Sequence, residues 1–180
     1  MKSILFLPFL ILVVIDGISQ TNGLFLTPYL LSLGIESWLV GLLIGIFRAS
    51  SLLMAIPSGL LSDRFKIKHI IAFGMLCLIG FYAGLTFFNS PVLLLLTFIL
   101  GGAGTSIVLV STMALFYKLL HQNRKAKSLA KLNTGKCFSQ GFFNIAGGFL
   151  ITTFSFIFVF KAAIFILIPM VVLVFLLASN

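Results

Sequence analysis

The sequence predicts an all-α membrane protein built as a bundle of six transmembrane helices. Of its 180 residues, 61% are hydrophobic and only 8% are charged, whereas a soluble domain carries about 25% charged residues. With three acidic side chains in total, the chain cannot form an ordinary water-facing surface. The apolar runs are long and continuous, which excludes the segments of about ten alternating residues that form membrane barrels. A Phe-rich composition of this kind also excludes disorder.

Each predicted span is an apolar run bounded by polar residues. A hydrocarbon core of about 30 Å needs about 20 helical residues at a rise of 1.5 Å each. Six runs of about that length succeed one another along the chain. The predicted spans are 4–31, 38–60, 69–88, 91–117, 127–153 and 157–178. A signal peptide at the amino terminus is disfavoured, because no small-x-small cleavage site follows the first run.

Short polar breaks separate the spans in order. They lie at 32–37, 62–68, 89–90, 118–126 and 152–155, and the last is marked by only a few hydroxyl side chains. We find no linker, low-complexity tract or internal repeat between the runs. The sequence therefore predicts a single transmembrane domain over residues 1–180.

The positions of the basic residues predict the orientation of the bundle. Lys2 and two basic clusters, at 64–68 and 118–131, fall on one side if six spans are counted from the amino terminus. Because cytoplasmic loops collect Lys and Arg, this side is predicted to be cytoplasmic, with both termini there and the protein in the cell membrane. The net charge of +9 thus reflects topology. Nucleic acid is excluded as a partner, because the basic groups have no base-reading motif around them.

Polar residues within the predicted spans mark a candidate site. An ionisable group at bilayer depth is costly and indicates a function, a pairing or a water-filled cavity. Asp16, Arg48 and Lys136 are such groups. In span one, polar and small residues recur at helical spacing, and span five repeats the pattern. These stripes consist of Asp16, Gln20, Gly23 and Thr27 in span one, and of Asn133, Lys136, Gln140, Asn144 and Gly147 in span five.

Two interpretations of the stripes remain open. Either Asp16 neutralises a cation inside a packed bundle while the amides join helices, or the two stripes line a hydrophilic cavity. Counting helical rise places Asp16 within about 5 Å of the depth of Lys136 and about 9 Å from that of Arg48, so Lys136 is the better partner. One acid cannot neutralise two bases. The surplus positive charge motivates the hypothesis that the cavity receives an anionic solute. Candidate cavity residues are Asp16, Gln20, Arg48, Lys136, Gln140 and Asn144.

Enzymatic function, a cofactor and a metal are not predicted. A catalytic serine needs a base within reach, and His69 and His121 are placed in cytoplasmic loops. The sequence contains no HExxH, phosphate-binding loop or cofactor fingerprint. Cys77 and Cys137 fall in apolar runs without metal-ligand spacing and are interpreted as small hydrophobic side chains.

The segment from Tyr29 to His69 resembles the major facilitator superfamily. It contains Tyr29-Leu-Leu-Ser-Leu-Gly34, then Trp38-Leu-Val-Gly41, and finally Pro57-Ser-Gly-Leu-Leu-Ser-Asp-Arg64. The loop between the second and third helices of that family reads Gly-x-x-x-Asp-Arg-x-Gly-Arg-Arg/Lys. Gly59, Asp63, Arg64 and Lys68 are in register with it, whereas Lys66 and Ile67 depart from it. The arginine of the family's fourth-helix pattern is missing near Phe98, and the fifth-helix pattern retains only Gly147 and Gly148.

The resemblance implies a function and a partner. Family members are secondary transporters of two six-helix halves, with the solute held between the halves. This chain resembles the amino-terminal half, so its expected partners are a small-molecule solute, the lipid bilayer and a second six-helix half, either a second copy or a missing carboxy-terminal half. Gly59, Asp63, Arg64 and Lys68 are the expected gating loop, although Asp63 could instead cap span three. The alternative is a non-transporting six-helix membrane protein, either a transporter remnant or a regulatory bundle.

Overall fold

The computed structural model describes residues 2–88, 90–120 and 125–177. These residues form six helices, whose bounds are α1 (Lys2–Ser32), α2 (Ser37–Arg64), α3 (Ile67–Phe87), α4 (Pro91–Leu119), α5 (Lys125–Thr153) and α6 (Phe156–Leu177). Their ends lie within two residues of the predicted span ends, with one exception at the end of α2. Asn89, His121, Arg124 and the predicted last residue of span six, at 178, lie outside the described residues.

The carboxyl end of α2 extends four residues beyond its predicted limit. Ser62 and Asp63 were expected in a loop but are helical. The Ser62 hydroxyl donates to the carbonyl of Ser58 one turn earlier, at 2.7 Å, and lies 2.8 Å from Oγ of Ser111 on α4. These bonds satisfy the polar side chain within the helix, so α2 continues to Arg64. His69 is likewise in the first turn of α3, not in a loop.

Five of the six helices are long and apolar enough to cross a membrane. Because these five helices make up most of the chain, this is a multi-pass helical membrane protein. The exception among the described helices is α5, whose lysines and amides lower its hydropathy below that of the others. The polar groups on α5 therefore need partners if this helix is to enter the bilayer.

Helix α4 lies at the centre of the bundle. It packs against α2, α3 and α1, while α5 packs mainly on α1 and α6 mainly on α3. The interfaces of α4 are lined by buried small residues such as Gly101, Gly102 and Thr105, which allow close approach. Tyr29 of α1 donates its hydroxyl to the carbonyl of Leu85 on α3 at 2.6 Å. Because α5 packs mainly on α1, the polar stripes of these two helices are in direct contact.

Candidate functional site

The contact between α1 and α5 is built around Asp16. Lys136 Nζ lies 3.5 Å from Oδ1 of Asp16, and Gln140 donates from Nε2 to the other carboxylate oxygen at 2.5 Å. The side chain of Asp16 is only 16% exposed and that of Lys136 only 19%. Since Lys136 and Gln140 are one turn apart, both reach the same carboxylate. This is the pairing that the depth count favours.

Further polar contacts extend this seam along both helices. Ser139 donates to the carbonyl of Val13 at 2.7 Å, and Thr21 Oγ1 lies 3.0 Å from Oδ1 of Asn144. Close approach depends on Gly17, where a Cβ would lie 2.4 Å from Oγ of Ser139. Four polar side chains of α5 thus have polar partners on α1, namely Lys136, Ser139, Gln140 and Asn144. Asn144 belongs to this seam.

Asp16, Gln20 and Arg48 come together at a small cavity between α1, α2, α3 and α4. Its volume is about 140 Å³, and its wall also includes Tyr82 and Thr105. Lys136, Gln140 and Asn144 are not among the residues that line this cavity. They reach the site through their contacts with α1. The predicted cavity residues therefore form two connected groups, one lining the space and one buttressing Asp16.

Arg48 carries the surplus charge of this site. The chain contains only three side-chain carboxylates, all of them described. Asp16 pairs with Lys136, Asp63 pairs with Lys118, and Glu36 accepts from the indole of Trp38. In the described part of the chain, no carboxylate lies within ion-pair distance of the Arg48 guanidinium. The cavity is lined by one acid and one base, and Lys136 makes the local sum positive.

The residues predicted to form the gating loop lie at and near a second polar junction, between α2 and α4. Lys118 Nζ is 3.1 Å from Oδ1 of Asp63, and both side chains are exposed. Gly59, one turn earlier, faces Val110 of α4. Arg64 ends α2 and Lys68 lies in the first turn of α3. Asp63 does not cap α3, because it is still within α2 and Lys66 precedes α3 without a side-chain capping bond. An exposed pair of this kind contributes at most about 1 kcal/mol.

Sequence patterns missed several residues of the site. Ser139 lies three residues beyond Lys136 and could have been found by extending the stripe to its neighbours. Thr105 stands in a run of small residues in α4 and gives no separate signal for a site. Tyr82 gives no signal in the sequence, because it stands in a continuous apolar run. Among the residues that the structure describes, no three His, Cys, Asp or Glu side chains form a group that could hold a metal ion.

Comparisons with known proteins agree with this architecture. The family model of the Major Facilitator Superfamily matches residues 9–180. An uncharacterized transporter from Buchnera aphidicola subsp. Schizaphis graminum is 30% identical over 82% of the chain, and another from Buchnera aphidicola subsp. Acyrthosiphon pisum is 28% identical over 78%. The matched regions are 37% and 36% of those relatives, so the chain spans little more than a third of their length. The chain belongs to the major facilitator superfamily, a family of membrane transporters.

Proposed function

We propose that this chain is one six-helix half of a secondary transporter that moves a small solute by alternating access. The observation that carries the proposal is the cavity wall formed by Asp16, Gln20 and Arg48, with Asp16 fixed by Lys136. Ionisable side chains at membrane depth line solute and ion pathways far more often than lipid-facing surfaces. Family membership supports transport rather than catalysis.

The proposed orientation places residues 1–180 in the cell membrane as one transmembrane domain, in which α5 crosses the bilayer together with the other five helices. The pair of Asp63 and Lys118 supports it, because it joins the carboxyl ends of α2 and α4 at one end of the bundle. Lys66, which follows α2, and Lys127, in the first turn of α5, therefore lie near the same end. Under the positive-inside rule this end, and with it both termini, is cytoplasmic.

A second six-helix half completes the proposed site. Leu52 and Ile56 lie one and two turns beyond Arg48 on α2, and each is 74% exposed. Residues at this spacing share a helix face, so the exposed face of α2 carries a cation at membrane depth. Direct contact of that cation with lipid would be unfavourable. We therefore assign this face to the interface with a second half, supplied by a second copy or by a carboxy-terminal half. The additional length of the relatives supports the latter.

The solute is proposed to be a small anion, with Arg48 as its ligand. Replacing Arg48 by Gln removes the charge that has no carboxylate partner, while the pair of Asp16 and Lys136 stays intact. Truncation of one member of a desolvated charge pair costs about 2–5 kcal/mol, so we expect anion uptake to fall at least about 30-fold. Uptake is measured in proteoliposomes that carry the whole product of the gene.

Two comparisons give this test its controls. Lys161→Gln removes an exposed cation from α6 and should leave uptake unchanged. Arg48→Lys keeps the charge and should retain part of the activity. Equal uptake of neutral and anionic solutes, or normal anion uptake by Arg48→Gln, would refute the assignment. No uptake of any solute by the intact gene product would favour the alternative, a non-transporting helix bundle.

A further inference from the structure

An apolar groove lies between α2 and α3, outside the proposed solute site. Both helices pack mainly on α4 and make few contacts with each other, which leaves a space of about 630 Å³. Met54, Leu61 and Phe65 form one wall, Ile70 and Phe73 form the other. Phe65 is 63% exposed and Phe73 is 58% exposed. Large apolar side chains therefore border a groove that is open to the surroundings of the bundle.

The end of this groove near the α2–α3 corner carries basic side chains. Lys66 and His69 line it, and Arg64 is close to them in sequence. The nearest carboxylate in sequence, that of Asp63, is already held by Lys118 at 3.1 Å. Lys66 precedes α3 and makes no side-chain capping bond to it. An apolar channel thus ends at basic groups.

The length of the groove fits one leaflet of a bilayer. From Met54 to Phe65, α2 rises by about 16 Å, which is about half of the 30 Å hydrocarbon core. The polar α2–α3 corner then lies at the level of the lipid headgroups. Basic pockets between helices at a membrane surface are suited to anionic headgroups. We propose that the groove binds an anionic phospholipid, with one acyl chain between α2 and α3 and the phosphate at Lys66 and His69.

The shape of the groove favours a lipid chain over a helix of a partner protein. A helix is about 10–12 Å wide with its side chains, so a segment 16 Å long fills about 1,500 Å³. The groove offers about 630 Å³. A helix could only lay a row of side chains over it, whereas an acyl chain can enter it. The lipid assignment does not depend on the proposed transport function, because it uses no residue of the solute site.

Tryptophan quenching by brominated lipids tests the proposal on the intact chain. Trp38 is the only tryptophan in the chain, so the variant Trp38→Phe/Phe65→Trp reports on the groove alone. It is reconstituted in phosphatidylcholine vesicles that contain a small fraction of either brominated phosphatidylglycerol or brominated phosphatidylcholine. Each cation near a membrane surface accounts for roughly a fivefold preference for anionic lipid. We therefore expect half-maximal quenching of the fluorescence at position 65 to need an at least fivefold lower fraction of brominated phosphatidylglycerol than of brominated phosphatidylcholine.

The preference should disappear when the two basic side chains that line this end of the groove are replaced. Adding Lys66→Gln and His69→Gln to the single-tryptophan variant is expected to bring the two lipids to equal quenching, while adding Lys161→Gln leaves the preference intact. Trp38 in the unaltered chain, at the opposite end of α2, should be quenched equally by both lipids. Equal quenching at residue 65, or a preference that survives neutralisation, would overturn the proposal. So would weak quenching at residue 65 by both lipids when Trp38 is quenched, because a protein segment would then cover the groove.

Discussion

Replacing Asp16 by Asn is expected to lower the free energy of unfolding by about 3 kcal/mol and to abolish transport. The substitution keeps the shape of the side chain and an acceptor for Gln140, but it removes the charge 3.5 Å from Lys136. Removing one partner of a buried pair is strongly destabilising, by about 3–5 kcal/mol, because the other charge remains buried without compensation. We expect the lower end of this range because the side chains of Asp16 and Lys136 remain partly exposed. Unfolding in mixed detergent micelles measures the change.

A double-mutant cycle separates the charge pair from the rest of the seam. Lys136→Gln alone should destabilise the bundle about as much as Asp16→Asn. The double variant Asp16→Asn/Lys136→Gln should be more stable than either single variant, since no uncompensated charge remains. Transport should still be lost in the double variant if Asp16 belongs to the solute pathway. Strictly additive losses of stability would show that the two side chains are not energetically coupled.

Replacing Gly102 by Ala is expected to push α2 away from α4 and to destabilise the bundle by about 2–3 kcal/mol. The new Cβ would lie 2.2 Å from the carbonyl oxygen of Phe47 and 3.0 Å from Cβ of Ser50. A backbone oxygen cannot move aside by a change of rotamer, so the helices themselves must separate, and overpacking of this kind costs about 1–3 kcal/mol. Thermal unfolding in detergent measures the loss.

Gly45→Ala supplies the matched control on α2. A Cβ at Gly45 would meet nothing within 4 Å, and Ala is favoured over Gly in a helix by about 1 kcal/mol. The control should therefore be neutral or slightly stabilising. If Gly102→Ala were as well tolerated as Gly45→Ala, α2 and α4 would not approach each other as closely as described.

The helices could be predicted from the sequence because polar breaks and helix ends coincide in a chain of this composition. The carboxyl end of α2 is the exception. Ser62, Asp63 and Arg64 look like a loop, but side-chain bonds to Ser58, Ser111 and Lys118 keep α2 helical through them. Hydropathy alone does not mark α5 as a span, yet four of its polar side chains, Lys136, Ser139, Gln140 and Asn144, find polar partners on α1.

The candidate site could be predicted only in part. Helical spacing identified Asp16 and Gln20, and depth counting selected Lys136 as the partner of Asp16. Neither method finds Tyr82 or Thr105, because their contribution to the cavity depends on how α3 and α4 pack beside α2. Such tertiary neighbours have no periodic signature in the sequence.

Labelling of a cysteine at position 20 tests most directly whether the cavity lined by Asp16, Gln20 and Arg48 belongs to an aqueous solute pathway. Gln20→Cys is made in a background in which Cys77 and Cys137 are replaced by Ala, and permeabilised membranes are treated with a charged maleimide. The reagent reacts with the thiolate in water, so Cys at position 20 should be labelled readily. Cys at position 165 on α6, where Phe165 is 82% exposed, should face lipid and stay unlabelled. An unreactive Cys at position 20, or equal labelling at both positions, would contradict the proposed pathway.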